Sequence, residues 1–282
     1  MFDWFWDAIR GYCNGCLEAI SNSIGGIATN DSLFKPLNEA IGGVYDFTIL
    51  IQQNITGPIG ITILSLLVMI EVVGNLTRNN DFIAGENIGP VIYNVGLKFV
   101  AIKLIIDAAP SFMTVIYDII RAISKGIADL AIDKTPAMEI GGRIGDMSDN
   151  GGLLLLAVVL TVTMLIAIVA GMAATVLIGW RMINIYLLYA FSPISLSWLA
   201  YDGTRQAGIT FIRRFAATCL QAAILVTIVA FFPFVLDSFS VDFSSSDPTV
   251  VTQAAATTMG YCIVLLVALF STNKAASTII GD

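Results

Sequence analysis

The sequence RMINIYLLYAFSPISLSWLAYDGTRQAGITFIRRF, residues 181–215, decides the fold of this chain because long apolar runs extend from both sides of its polar turn. The run before it, 153–178, contains only apolar or small residues. A helix needs about 20 such residues to cross the roughly 30 Å of hydrocarbon in a bilayer. Residues 182–200 form a second apolar run, and 215–235 form a third after the turn. The pattern therefore predicts three membrane-spanning helices.

Pro193 lies near the middle of the second run. Proline has no amide hydrogen and its ring clashes with the preceding turn, so it favours a kink in a membrane helix. The carbonyl that it leaves without a partner must be satisfied, and Ser192 or a neighbouring helix is expected to supply the donor. Arg181 lies between the first two runs, and its simplest interpretation is an interfacial anchor.

The composition places the whole chain in a membrane. Of its 282 residues, 57% are hydrophobic and 12% are charged, and the mean hydropathy is +0.84. An ordinary soluble domain has about 25% charged residues. The chain has room for one membrane domain and no sizeable soluble one. A net charge of -7 argues against a basic nucleic-acid-binding surface.

Residues 1–45 are predicted to form an amphipathic helix and a linker. Apolar residues recur at spacings of three and four, as in a helix with one apolar face: Phe2, Phe5, Trp6, Ile9, Cys13, Cys16, Leu17, Ile20 and Ile24. This helix is expected to lie on the bilayer or pack on the membrane domain without spanning. The CNGC motif of Cys13 and Cys16 has no histidine or second pair beside it, so packing is favoured over a metal or redox role. No cleavable signal peptide is predicted, because the first ten residues are rich in acids and aromatics.

The predicted fold class is all-α, a polytopic bundle of about six membrane helices within residues 46–282. The expected spans are 52–75, 88–109, 152–178, 182–200, 213–236 and 256–271. The segment 237–253 has acids and no Lys or Arg, so the positive-inside rule puts it outside and the basic turn and carboxyl terminus inside. Counting six spans back puts the amino terminus inside; a re-entrant second span would move it outside.

Charged residues make the second span unusual. Lys98, Lys103 and Asp107 all lie in it, and a charge near the bilayer centre costs about 2.5–3.5 kcal/mol. Lys103 and Asp107 are four residues apart and are expected to pair on one helix face. Lys98 points elsewhere, and Glu71 of the first span is the partner of suitable sign. These four residues are candidates for a polar pathway or a subunit contact, and a satisfied ion pair with snorkelling lysines is an equal alternative.

The second span is expected to break at Pro110 and Ser111. The apolar periodicity of 115–130 then predicts an amphipathic helix that continues along the interface. Residues 133–150, which are rich in glycine and polar side chains, are the principal predicted internal loop.

Catalytic motifs are absent from the sequence. There is no histidine, no Walker A sequence, no GxGxxG turn after a strand and no GxSxG elbow. The serines of SPISLS have no adjacent base. We therefore expect no enzyme activity, no cofactor and no metal.

Several residues of the central region carry a family resemblance: Arg181, Ala190, Pro193, Ile194, Arg213, Arg214 and Gln221. Their order resembles the signature of TrbL-like, VirB-type polytopic subunits of type IV secretion systems, in the variant of Gram-positive conjugative elements. The last span with its tail, MGYCIVLLVALFSTNKAASTII, is also similar to that family. The polar loop YDGTRQ departs from it in having no Lys or Trp.

The resemblance implies a subunit of a translocation channel in the bacterial cytoplasmic membrane. Its implied partners are further copies of the chain, other secretion membrane subunits, secretion ATPases and transferred single-stranded DNA or protein. Two alternatives remain at this point. The charges around Lys98 suit a small-substrate transporter, although no internal repeat is evident. A membrane scaffold without a conduit is the other.

Overall fold

Helices form all the regular structure in the part of the chain that the computed structural model describes, residues 3–28, 33–78, 88–134, 150–238 and 247–281. The α-helices are α1 Asp3–Ala28, α2 Leu37–Ala40, α3 Gly42–Ile51, α4 Gly57–Arg78, α5 Ile88–Asp107, α6 Ala109–Lys134, α7 Asn150–Ser197, α8 Arg205–Ser238 and α9 Pro248–Ile280. A π-helical turn, Gln52–Thr56, joins α3 to α4, and a 3₁₀ turn, Trp198–Ala200, follows α7. The predicted all-α membrane class is confirmed. Phe2, most of the predicted loop 133–150 and residues 239–246 of the acidic segment lie outside the described residues.

The chain divides into two compact units. The first unit consists of the described residues of 1–34, 121–180 and 221–275. The second consists of the described residues of 35–120, 181–220 and 276–282. Each unit has its own apolar core, in which the largest side chains of the second are Tyr117, Tyr189 and Phe215.

Helix α1 packs on the membrane-spanning part of the first unit, which is the second of the two positions expected for it. Cys13 and Cys16 are buried in the apolar cluster that α1 shares with α7, so the packing interpretation of the CNGC motif is confirmed. Tyr12 Oη lies 3.0 Å from Thr161 Oγ1. Further along both helices, a Cβ on Gly171 would lie 3.2 Å from Ser23 O. Small residues of α7 therefore let the two backbones approach closely.

Four helical stretches are long and apolar enough to cross a bilayer, or five if the bent pair α5–α6 is one crossing. The sequence predicted six because it divided 152–178 from 182–200. That division is wrong, since α7 runs without a break through Gly179 and Arg181. A buried charge costs solvation energy but does not disturb helical backbone geometry. The first span begins at Gly42, ten residues earlier than predicted, and α9 extends beyond the predicted last span at both ends.

The break between α5 and α6 lies where Pro110 predicted it. The axes of the two helices differ by 60° around Ala108. Helix α6 is amphipathic as expected, but the face that it buries is only partly the predicted one. Met113 and Tyr117 are buried, whereas Val115 and Ile119 of the predicted face are each 56% exposed. Periodicity identified an apolar stripe but not which edge of it meets the protein.

Asp247 begins α9. Its Oδ1 accepts hydrogen bonds from the backbone amide of Thr249 at 2.9 Å and from Thr249 Oγ1 at 2.6 Å. Pro248 occupies the first helical position, where its missing amide hydrogen costs nothing. The Thr249 donors hold the pKa of the exposed Asp247 carboxyl below its usual value. The sequence Asp-Pro-Thr thus starts α9, and Asp247 lies just before the candidate span 249–280.

Candidate functional site

Polar side chains of the second unit gather at the proline of α7. Pro193 leaves the carbonyl of Tyr189 without its helical amide partner. Ser192 Oγ donates to that carbonyl oxygen at 2.8 Å. Gln52 Nε2, from the π-helical turn, donates to Ser192 Oγ at 3.0 Å and reaches Tyr189 O at 3.5 Å. Both donors that the sequence offered as alternatives, Ser192 and a neighbouring helix, are therefore used.

Gln52 belongs to a row that faces α7. Thr56, one turn further, donates from Oγ1 to Ala190 O at 2.6 Å. Gly60, one more turn on, touches the proline itself, because a Cβ there would lie 2.8 Å from Pro193 O. Gln52 and Thr56 are almost completely buried. This row, Gln52, Thr56 and Gly60, is called the proline clamp below.

Sequence reasoning missed the proline clamp, although a signal for it exists. Two polar residues and a glycine recur at intervals of four in an apolar segment, which places them on one helix face. Buried polar side chains in a membrane helix need partners, and a proline-containing helix offers free carbonyls. The remaining lone pairs are not all used, since Gln52 Oε1 is buried without a hydrogen-bond partner among the described residues.

A second polar cluster lies where α4, α5 and the turn after α7 meet. Lys98 Nζ lies 2.7 Å from Glu71 Oε1 and 3.1 Å from Asp202 Oδ1. The pairing of Lys98 with Glu71, expected from their signs, is confirmed as a contact. Asp202 was not expected in it and comes from the loop YDGTRQ. Glu71 is the most enclosed of the three, with 13% of its side chain exposed, against 30% for Lys98 and 77% for Asp202.

The expected pair of Lys103 with Asp107 is wrong. Both side chains are exposed, and no ion pair between them occurs among the residues described. Spacing of four residues permits a helical ion pair, but such a pair is worth only about 0.3–0.5 kcal/mol when exposed. The four candidate residues therefore do not form one cluster: Glu71 and Lys98 meet, and the other two stand apart from them.

Arg181 is a buried residue and not an interfacial anchor. Only 3% of it is exposed, and its Nε donates to Thr218 O at 3.2 Å. Cys219 and Tyr117 are its other polar neighbours, and Nη1 has no hydrogen-bond partner within the described ranges. Arg181 is buried because it lies on the inner face of α7. The buried residues of that face recur every seven positions: Leu160, Ala167, Ala174 and Arg181. The prediction that Arg181 is an interfacial anchor is therefore wrong.

The remaining residues of the resemblance lie on two helices and do not form one site. Ala190 accepts the Thr56 hydrogen bond, and Ile194 is half-buried. Arg213 and Arg214 are exposed, and Arg213 Nη1 lies 3.5 Å from Gly281 O. Gln221 belongs to the first unit, where its Nε2 donates to Thr272 Oγ1 at 3.2 Å.

These arrangements join helical segments of the second unit. Within the described residues, no three His, Cys, Asp or Glu side chains stand close enough to hold a metal ion. In the described second unit, the polar groups of these arrangements are amides, hydroxyls, the Arg181 guanidinium and the Lys98–Glu71 ion pair with the exposed Asp202 carboxylate. The proline clamp and the Lys98 cluster both fix the end of α7 against the first span.

Comparison with known protein families gives a match. The model of the TrbL/VirB6 plasmid conjugal transfer-like proteins matches residues 33–193. The matched range includes the proline clamp, Lys98, Arg181 and Pro193, whereas Ile194, Arg213, Arg214 and Gln221 lie beyond its last residue. No curated protein and no solved structure matches the chain.

Proposed function

Since this chain belongs to the TrbL/VirB6 plasmid conjugal transfer-like family, whose model matches more than half of it, we propose that it is a translocation-channel subunit. At the coarser level it is a multi-pass membrane component of a conjugal transfer, type IV secretion system. The family is one of secretion-system subunits and is not a known enzyme family. The proposal adds the cytoplasmic membrane as its location and the path of single-stranded DNA or protein as its role. The family match is the observation that carries it.

The proposed partners follow from that role. A channel subunit of this size works together with further copies of itself, other secretion membrane subunits and the secretion ATPases. No cofactor is assigned to it, because the work of such a subunit is to hold a path open across the bilayer.

Contacts within the second unit support five membrane crossings. Gln52 contacts Tyr189, and Gly60, further along the first span, contacts Pro193, further along α7. The first span therefore runs parallel to the end of α7. Parallel neighbours cross a bilayer in the same direction, which requires an odd number of crossings between them. The bent pair α5–α6, as one crossing, supplies that number.

The same contacts bear on orientation. Lys98 brings Glu71, near the end of the first span, to Asp202, which follows α7, so both belong on one side of the membrane. Arg213 near Gly281 supports the carboxyl terminus on that side too. The positive-inside rule makes this side cytoplasmic. With five crossings the first span then begins outside, in contrast to the count of six.

One of the arguments for a small-substrate transporter no longer holds. It rested on a cluster of Lys98, Lys103 and Asp107 in one span, and only Lys98 is in a charged cluster. Two carboxylates hold that lysine between helices, as a structural ion pair does. Substrate-dependent uptake by proteoliposomes of the pure protein would restore the alternative.

Gene deletion tests the proposal. Deleting the gene from its conjugative element should reduce transfer to background while nicking of the element DNA stays at its normal level. Supplying the wild-type gene in trans should restore transfer, which controls for effects on neighbouring genes. Transfer at the parental frequency from the deletion strain would end the proposal.

A further inference from the structure

The outer face of α1 carries no aliphatic side chain between residues 11 and 26. Five exposed residues form it and lie within a stripe of about 80° around the helix: Gly11, Gly15, Glu18, Asn22 and Gly26. The opposite face of α1 packs in the apolar core of the first unit. On α7 of the same unit the exposed residues are apolar instead, among them Leu165 and Val169, which are 55% and 49% exposed. We call the five residues the α1 outer stripe.

Two contacts fix the level of this stripe against α7. Tyr12 Oη lies 3.0 Å from Thr161 Oγ1, and Ser23 O would lie 3.2 Å from a Cβ on Gly171. The order of the contacts is the same on both helices and their spacing is nearly equal, so α1 and this part of α7 run parallel and side by side. Glu18, six residues after Tyr12, is therefore level with the middle of the uninterrupted apolar run with which α7 begins. That run is part of a candidate membrane span.

A carboxylate at this level does not face lipid without a large cost. Ionisable side chains at membrane depth face protein, pair with one another or face water. Glu18 is exposed and forms no ion pair with any residue in the described ranges. A partner helix packed on the glycines of the stripe would enclose this unpaired charge, and removing it from water is expensive. Water covers the stripe at a lower cost than either lipid or an apolar helix.

We propose that the α1 outer stripe lines an aqueous path through the membrane, whereas the exposed apolar residues of α7 in the first unit contact lipid. The glycines leave the backbone of α1 open to water, because a Cβ at Gly11, Gly15 or Gly26 would have no described neighbour within 4 Å beyond the adjoining residues of α1. Glu18 gives each copy of the chain one carboxylate in the wall of this path, which favours cationic groups. The path is identified with that of the proposed function, and its cargo rests on that proposal.

Thiol accessibility tests the position of the stripe. Gly15→Cys and Asn22→Cys place a thiol on the stripe and leave Glu18 unchanged. Leu165→Cys and Val169→Cys are matched controls, because both positions are exposed at neighbouring levels of α7. Membranes from cells that carry the complete transfer system are treated with a membrane-impermeant, positively charged thiosulfonate. The parent protein is the blank, because its four cysteines are buried. The two α1 thiols should react at least tenfold faster than the two α7 thiols, and SDS should abolish the difference.

Two outcomes would overturn the proposal. Equally slow labelling of both helices before SDS means that lipid or protein covers the stripe. Equally fast labelling of both means that this part of α7 also lies in water, so the level of Glu18 has no cost to explain. Deletion of the gene is a separate measurement, since labelling reads contact with water and not cargo. Parental transfer from the deletion strain would remove DNA and protein as the cargo, and fast labelling of α1 would still support an aqueous path.

Discussion

Replacing Gly60 by alanine probes the proline clamp most directly. The added Cβ would lie 2.8 Å from Pro193 O and 2.9 Å from Pro193 C. Carbon and carbonyl oxygen normally approach to about 3.3–3.6 Å, so the overlap is about 0.5 Å or more. Both atoms belong to the backbone, and Gln52 and Thr56 hold the adjoining carbonyls in place. The strain therefore cannot be relieved by rotating a side chain.

The change in the free energy of unfolding caused by Gly60→Ala is the sum of two opposing effects. Overpacking of a tight contact costs about 1–3 kcal/mol, and a clash with fixed backbone belongs in the upper half of that range. Alanine in place of glycine in a helix returns about 1 kcal/mol. Gly60→Ala should thus lower the free energy of unfolding by about 1–2 kcal/mol, roughly a five- to thirty-fold change in the folding equilibrium.

The difference in the free energy of unfolding is measured by reversible unfolding of the purified protein in bicelles, with steric trapping as the readout. Gly74→Ala is the matched control in the same helix, because a Cβ there would have no described neighbour within 4 Å beyond the adjoining residues of its own helix. That variant should be as stable as the parent or up to about 1 kcal/mol more stable. If the two substitutions changed the free energy of unfolding equally, close contact at Gly60 would not be what distinguishes the position.

The other predictions concern charge and thiol reactivity. Lys98→Met should destabilise the protein by about 3 kcal/mol, because the enclosed Glu71 carboxylate loses its counter-charge. Asp202→Asn should cost less than about 1 kcal/mol, because Asp202 is exposed. Equal losses of stability in the same unfolding assay would contradict this ranking. Burial, with a smaller effect of the neighbouring thiol of the CNGC motif, raises the pKa of Cys13 to about 11. At pH 8 its alkylation by iodoacetamide should therefore be at least about tenfold slower than that of an exposed Ala8→Cys thiol, and SDS should remove the difference; equal rates before SDS would show that α1 is not docked. Because folding raises the pKa of the Cys13 thiol from its ordinary value of 9.0 to about 11, its contribution to stability should be complete below pH 9 and fall as the pH rises from there to 11.

Local patterns predicted those features that depend on neighbours along the chain. The periodicity of α1 identified the face that packs, and Pro110 identified the break after α5, because both effects act within one or two turns. The pairing of Lys98 with Glu71 followed from sign alone, as few opposite charges were available. The pairing of Lys103 with Asp107 failed, since permitted spacing does not supply the free energy to hold an exposed pair.

The missed residues lie at contacts between distant segments. Gln52 and Thr56 read as polar interruptions of an apolar run, and their purpose is visible only beside the carbonyls of Tyr189 and Ala190. Arg181 read as an interface residue because charges in apolar runs usually mark a boundary. The seven-residue row that it shares with Leu160, Ala167 and Ala174 is recognised as the inner face of α7 only from the burial of those residues in the structure.

Composition and apolar run length by themselves determined that this chain is a helical membrane protein, because about 20 consecutive apolar residues leave few alternatives to a spanning helix. The order of the motif residues from Arg181 to Gln221 also gave the resemblance to the family. Only the tertiary structure decided that α7 is one helix, that it ends parallel to the first span, and that Arg181 lies inside. These properties depend on which helices meet and in which direction. Helix packing in lipid depends on close contact and on hydrogen bonds between segments far apart in sequence, and hydropathy records neither.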